Sequence, residues 1–293
     1  MASQAKLSRI ALNKILVATD FAPESEYALQ CAIGLARRNQ STLTLTHVLP
    51  NETITAVGDT WPIVNDIVRE NAQKSMATLE EFEEIKTLPH EAVIASGDTG
   101  DTIVRTLVDK HADLVVMGTH GRGGVSKLIL GSAAEKVIRH APCPVLTVGP
   151  HVRFVSPDRF NHIFYATDFS SGSAGAFTYA LSLAEEDQAD LTLLHVIESK
   201  PASETEMMEW KQGDRERLSR MIPADNDLAY KPEIEVEIGI PEVEIVRLAD
   251  ARSADLIVMG SHGGGAVSTH LPWTTLHHVL QHAHCPVLTV RGQ

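Results

Sequence analysis

Four glycines, Gly118, Gly121, Gly123 and Gly124, follow the apolar run "LVVM" and lead on to a Gly131–Ser132 pair. Glycine permits positive φ angles and lets backbone amides come close to a ligand. Ser132 and Glu135 have Ser-x-x-Glu spacing, which predicts a capping box at a helix start. Gly131 just before it leaves the first helical amides uncovered. Bare N–H groups at the positive end of a helix dipole favour a phosphate without any basic side chain. Asp20 closes a second apolar run, "ILVAT", and can accept hydrogen bonds from ribose hydroxyls. The same residue types also make ordinary tight turns and helix starts, so the surrounding elements must decide between the two.

Those elements occur twice. "ILVATDFAPESEYALQCAIGLA" from Ile15 aligns with "IFYATDFSSGSAGAFTYALSLA" from Ile163, at an offset of 148 residues (168 − 20, from the paired aspartates). "LTLTHV" and "LTLLHV" keep that offset and pair His47 with His195. Gly118 pairs with Gly260 at 142 (260 − 118), as do the two "CPVLTV" strands, so copy two is six residues shorter (148 − 142) in between. The polar join from Gly149 to His162 separates a first domain, 1–150, from a second, 151–293.

Within each copy, apolar runs of strand length alternate with helical periodicity. In copy one the strands are "KILVAT", "TLTLTHV", "HEAVIAS", "DLVVMG" and "PVLTV". Helices are expected at Glu24 to Asn39, from about Pro62 to Glu84, at "DTIVRTLVDKH" and from Ser132. Five strands separated by helices predict an α/β fold, with a parallel sheet, right-handed crossovers and both faces covered. Ligands in such sheets bind beyond the carboxyl ends of the strands, where strand order reverses. Thr19, Asp20, His47, Val48 and the turn from Gly118 converge there.

The spacing Gly118-x2-Gly121-x9-Gly131-Ser132 resembles the adenine-nucleotide motif of the universal stress protein family. The endings "ATDF" and "THV" and the final "CPVLTV" are also similar to that family, over both halves of the chain. The resemblance implies two tandem Rossmann-like (adenine nucleotide alpha hydrolase-like) domains with sheet order 3-2-1-4-5. It implies ATP, with or without magnesium, across the ends of the first and fourth strands. Asp20 and Val48 would then serve the adenosine, with Thr19, Met117 and Gly118 close by. Gly121, Gly131, Ser132 and Ala133 would hold the phosphates, with His120 and Arg122 in the loop alongside. It also implies last strands that pair across a two-fold axis, giving an intramolecular pseudo-dimer or a homodimer.

Copy two departs from this pattern. It keeps Asp168, Val196, Met259, Gly260 and Gly263, but Gly263-x9 leads to Trp273, and His277 stands where a capping glutamate would be. ATP binding is therefore expected to be weak or absent there, with Trp273 alternatively stacking on a base. His270, His277, His278, His282 and His284 crowd this segment; His278 and His282 have the i,i+4 spacing that can hold zinc, or they form a solvated helix face.

Composition narrows the function. A formal charge of −13 gives no basic surface for a nucleic-acid backbone. No apolar stretch reaches membrane-span length, and the start lacks a signal-peptide core, so a cytoplasmic address is expected. Three cysteines, Cys31, Cys143 and Cys285, do not make a disulfide framework and are expected as reduced, buried small residues. The reading favoured is an ATP-binding regulatory protein with protein partners; the alternative is a slow ATP-hydrolysing enzyme. A P-loop lysine pattern and a Ser-Gly-Gly-x-Asp-Ser loop are both missing, as is the acidic pair, central aspartate and late lysine of a phosphoacceptor domain.

Overall fold

The computed structural model of the chain describes residues 10–50, 61–119, 130–152, 159–261 and 273–292. The chain divides into two compact units, Ala11–Val148 and Gly149–Gln293, the latter joined by Ile10, whose amide donates to Ser182 Oγ at 3.1 Å.

The first unit runs β1 (Lys14–Ala18), α1 (Pro23–Asn39), β2 (Thr42–Pro50), α2 (Trp61–Glu80), α3 (Glu83–Lys86), β3 (His90–Gly97), α4 (Thr99–Lys110), β4 (Leu114–Gly118), α5 (Ser132–His140) and β5 (Val145–Val148). Its strands are all parallel in the order β3-β2-β1-β4-β5, the 3-2-1-4-5 arrangement. Every residue of β4, and every residue of β1 after Lys14, is buried. Neighbouring strand residues point to opposite faces, so these two strands are covered on both. Helix α1 packs on β1, β4 and β5, while α4 lies over β1 to β3 and against α5. The register sets Ala18 beside Thr46 on one side and Met117 on the other, so the chain leaves β1 between the ends of β2 and β4.

Helix ends follow local chemistry. Asp98 caps α4, accepting the Asp101 amide at 3.0 Å, and α4 ends on His111 in the left-handed region at φ 53°. The helix expected from Pro62 to Glu84 stops instead at Glu80 and restarts at Glu83. Its buried stripe is Ala72, Met76 and Leu79. One more turn at that spacing would bring Glu83 inward and leave Ile85 off the stripe. Extended backbone at Phe82 (φ −65°, ψ 130°) breaks the helix, and Ile85 is fully buried.

The second unit repeats the plan with β6 (His162–Ala166), α6 (Ser171–Asp187), β7 (Asp190–Ile197), α7 (Glu204–Met221), β8 (Glu233–Ile238), α8 (Pro241–Ala251), β9 (Leu256–Ser261), α9 (Trp273–His282) and β10 (Val287–Arg291). These strands are likewise parallel, in the order β8-β7-β6-β9-β10. The three cysteines are free; Cys31 and Cys285 are buried and Cys143 partly so. Burial, with nearby carboxylates adding to it, pushes the Cys143 and Cys285 thiols up to about 12, which leaves them poor nucleophiles.

In the second unit the first turn of α6 rests directly on strand-end glycines. A Cβ on Gly260 would lie 2.7 Å from the backbone of Gly172 and Ser173, and one on Gly292 would lie 2.5 Å from Gly172 Cα. Backbone cannot swing aside as a flexible side chain does. Gly260→Ala should therefore cost about 1–3 kcal/mol through overpacking, measured by denaturant titration. An unchanged midpoint would show that α6 does not sit so closely.

Candidate functional site

The exit from β1 is a built elbow. Thr19 N–H donates to Thr46 O at 2.9 Å, and Phe21 N–H donates to Thr19 Oγ1 at 3.0 Å. Phe21 sits at φ 62°, a left-handed conformation that a bulky residue adopts only when its surroundings impose it. His47 contributes to that: its Nδ1 is 2.7 Å from Thr19 O, so Nδ1 carries the proton, and its ring lies 4.6 Å from that of Phe21. Asp20, next along, accepts Ala22 N–H at 3.1 Å and the Ser25 hydroxyl with the same Oδ1.

These groups border a cavity of about 110 Å³. Seven of the ten residues expected at the site line it: Thr19, Asp20, Val48, Met117, Gly118, Gly131 and Ala133. Ser132 is exposed and does not line it, while His120 and Gly121, like Arg122, Gly123 and Gly124, lie outside the described residues. Thr46, not singled out in the sequence, also lines the cavity. Its Oγ1 is buried with no hydrogen-bond partner among the described residues, the condition in which a ligand atom is most welcome.

The capping box expected at Ser132 and Glu135 does not form. Gly131, extended at φ −62° and ψ 141°, is the N-cap of α5, and Ser132 is already the first helical residue. Gly131 is anchored by its N–H to Thr119 O at 2.9 Å, and the Glu135 carboxylate instead accepts from Arg139 at 3.0 Å. Among the described residues no side chain caps α5, so its first amides face the cavity mouth more openly than a capping box would allow.

The family model for the universal stress protein family matches residues 11–149 and, again, 159–291. The chain belongs to that family. A universal stress protein of Mycolicibacterium smegmatis is 26% identical over 290 residues, spanning 94% of this chain and 96% of its own. One from Methanocaldococcus jannaschii is 31% identical over 139 residues, 46% of this chain and 81% of its own. Among solved structures, a universal stress protein from Archaeoglobus fulgidus has a TM-score of 0.76 at 22% identity, covering 98% of both chains. A functionally unknown protein from Pseudomonas aeruginosa has a TM-score of 0.66 at 22% identity, covering 97% of this chain and 94% of its own. The structural likenesses concern the fold.

The second universal stress protein domain repeats the elbow but not the cavity. Phe169 stands at φ 60°, its N–H on Thr167 Oγ1 at 2.9 Å, and His195 Nδ1 is 2.8 Å from Thr167 O. Asp168 and Val196 line a larger cavity, about 570 Å³, over β6, β7, α7 and α8. Met259 and Gly260, kept in the sequence, do not line it. Asp214 and Arg217 of α7 line it instead, with His195 Nε2 3.7 Å from Asp214 Oδ2 and the Arg217 guanidinium 3.9 Å over the Phe169 ring. A signal for both existed: Asp66 and Arg69 of α2 stand at the same offset of 148 (214 − 66, 217 − 69). Trp273 begins α9, one aligned position before α5 starts; Pro272, His270 and Gly263 lie outside the described residues.

The histidines of α9 stack rather than converge. The His278 and His282 rings are 4.0 Å apart at 21°, and His282 Nδ1 bonds the His278 carbonyl at 2.9 Å. Among the described residues no group of three His, Cys, Asp or Glu side chains has the geometry to hold a metal. Also among them, no helix is long and apolar enough to cross a membrane. Burial, His282 and His277 hold the His278 imidazole below its usual value, and Glu242 opposes them. A histidine depressed in the folded state binds its proton more readily when unfolded. Its contribution to stability is thus present above about pH 6.5 and lost as the pH falls below it. His278→Gln should flatten the fall in Tm between about pH 7.5 and about pH 5.5; a parallel curve for parent and variant would contradict this.

Proposed function

We propose that the first domain binds ATP and that the protein is a nucleotide-dependent stress-response regulator rather than an enzyme. The observation that carries this reading is the meeting, in one cavity, of the β1 elbow, the β2 and β4 ends and the uncapped N-terminus of α5. The cavity suits the base and sugar edge, with Thr46 Oγ1 and Asp20 as polar partners. The phosphates run outward past Gly131 to the α5 amides, which attract anions by orientation alone. Asp20 Oδ1 and His47 Nδ1 are already committed to holding the elbow, and among the described residues no other general base lines the cavity. That favours binding over turnover. The partners are proposed to be regulatory proteins that sense the nucleotide state.

Calorimetric titration of the full chain should give close to one ATP per chain. Gly131→Trp should weaken binding at least tenfold, about 1.4 kcal/mol. Two equal sites, or unchanged affinity in the variant, would remove this reading.

A further inference from the structure

We propose that the second domain's cavity binds an uncharged nucleoside and rejects its phosphorylated forms. The inference rests on the nucleotide reading of the first domain, because the two elbows are the same. At about 570 Å³ the cavity is of ordinary ligand-site size, against about 110 Å³ in the first domain. Its inner wall is apolar, made by Ala166, Leu194, Val196, Pro241 and Ile245. Leu194 stands where the first domain has Thr46 (194 − 148), so this wall is shaped for a flat apolar surface. Arg217, its guanidinium carbon 3.9 Å over the Phe169 ring, is exposed and available to stack on a planar ring. Asp168 offers a carboxylate at the position of Asp20, suited to sugar hydroxyls.

Charge opposes a phosphate chain here. The first turn of α6 is seated on Gly260 and Gly292, at the ends of β9 and β10. Among the described residues, a side pocket of about 250 Å³ shares Glu198 and Pro241 with the cavity and reaches Thr274 and Thr275 of α9. Glu198 and Glu242 border that pocket, where the first domain has Pro50 (198 − 148) and Gly100 (242 − 142). Glu242 accepts from Thr275 Oγ1 at 3.1 Å, which places a carboxylate at the first turn of α9. The position that attracts an anion in α5 is thus already served by the protein's own anion in α9. With Asp168, Asp214, Glu198 and Glu242 around it, facing Arg217 and His195, the site repels added negative charge.

The test is titration of the full chain with adenosine, AMP and ATP after blocking the first domain by Gly131→Trp, repeated with Asp20→Ala in case the bulky variant does not fold. Adenosine should bind at one per chain, AMP at least tenfold more weakly, and ATP more weakly still. Asp168→Ala in the blocked chain should abolish adenosine binding. Glu198→Gln with Glu242→Gln should narrow the gap between adenosine and AMP at least fivefold. AMP or ATP binding as tightly as adenosine would overturn the proposal, and so would a cavity that takes spermidine but not adenosine. If the parent binds one ATP while both blocked chains ignore adenosine, this inference fails alone. If the parent ignores ATP while the blocked chains show the expected order, this inference stands and the first-domain reading falls.

Discussion

Everything at the ligand edge of each domain depends on how the chain turns out of its central strand. The strand is flanked on both sides, so the chain must leave between two strand ends and rise at once into a helix. That demands a left-handed residue, and in both copies it is a phenylalanine, at φ 62° and φ 60°. Such backbone is costly for a bulky side chain and persists only when several bonds fix it together. A threonine hydroxyl receives the phenylalanine amide, and a histidine from the neighbouring strand bonds the threonine carbonyl while its ring lies against the phenylalanine ring. The aspartate between them is consequently placed at the cavity rim in both domains.

With that elbow fixed, the two domains differ in what surrounds it. The first leaves the ends of β1 and β4 facing a cavity together with the N-cap of α5. In the second, α6 is seated on its glycines with the Tyr165 hydroxyl bonding Ser173 O at 2.9 Å, and the cavity lies over β7 and α7. Neither change needs a new fold. Both follow from a few side chains being larger, smaller or charged at the mouth of an unchanged sheet.

Much of this was legible in the sequence because it depends on period and repetition. The doubled plan and the convergence of Thr19, Asp20, Val48 and Gly118 follow from apolar runs and aligned anchors, while the strand order and the place of Met117 came with the family resemblance. What was not legible depends on one-residue register or on distance in space. Ser-x-x-Glu marks a helix start without saying whether serine stands at the cap or one step inside; here Gly131 takes the cap. The break at Phe82 is decided by whether Ile85 can reach the core, which periodicity over a longer window obscures. Asp214 and Arg217 were hidden because they reach the site from a helix in the region where the two copies differ in length. The i,i+4 histidines have chelating spacing, yet stacking of their rings uses it.

The contrast between α5 and α9 bears on how the proposed binding would become a signal. A ligand stabilises whatever folded element it completes, and the effect is greatest where that element lacks an internal partner. Helix α9 has the Glu242 carboxylate bonded to its first turn, so its dipole is balanced whether or not anything is bound. Helix α5 has no side-chain cap among the described residues, and its N-terminus follows on the segment after Gly118. An anion held there would therefore alter the stability of α5, and through its packing on α4 the face over β1 to β3. The second domain, supplied with its own charge, would stay as it is. On the proposed reading, coupling between ligand and surface would be concentrated in one half of a molecule whose two halves share a scaffold.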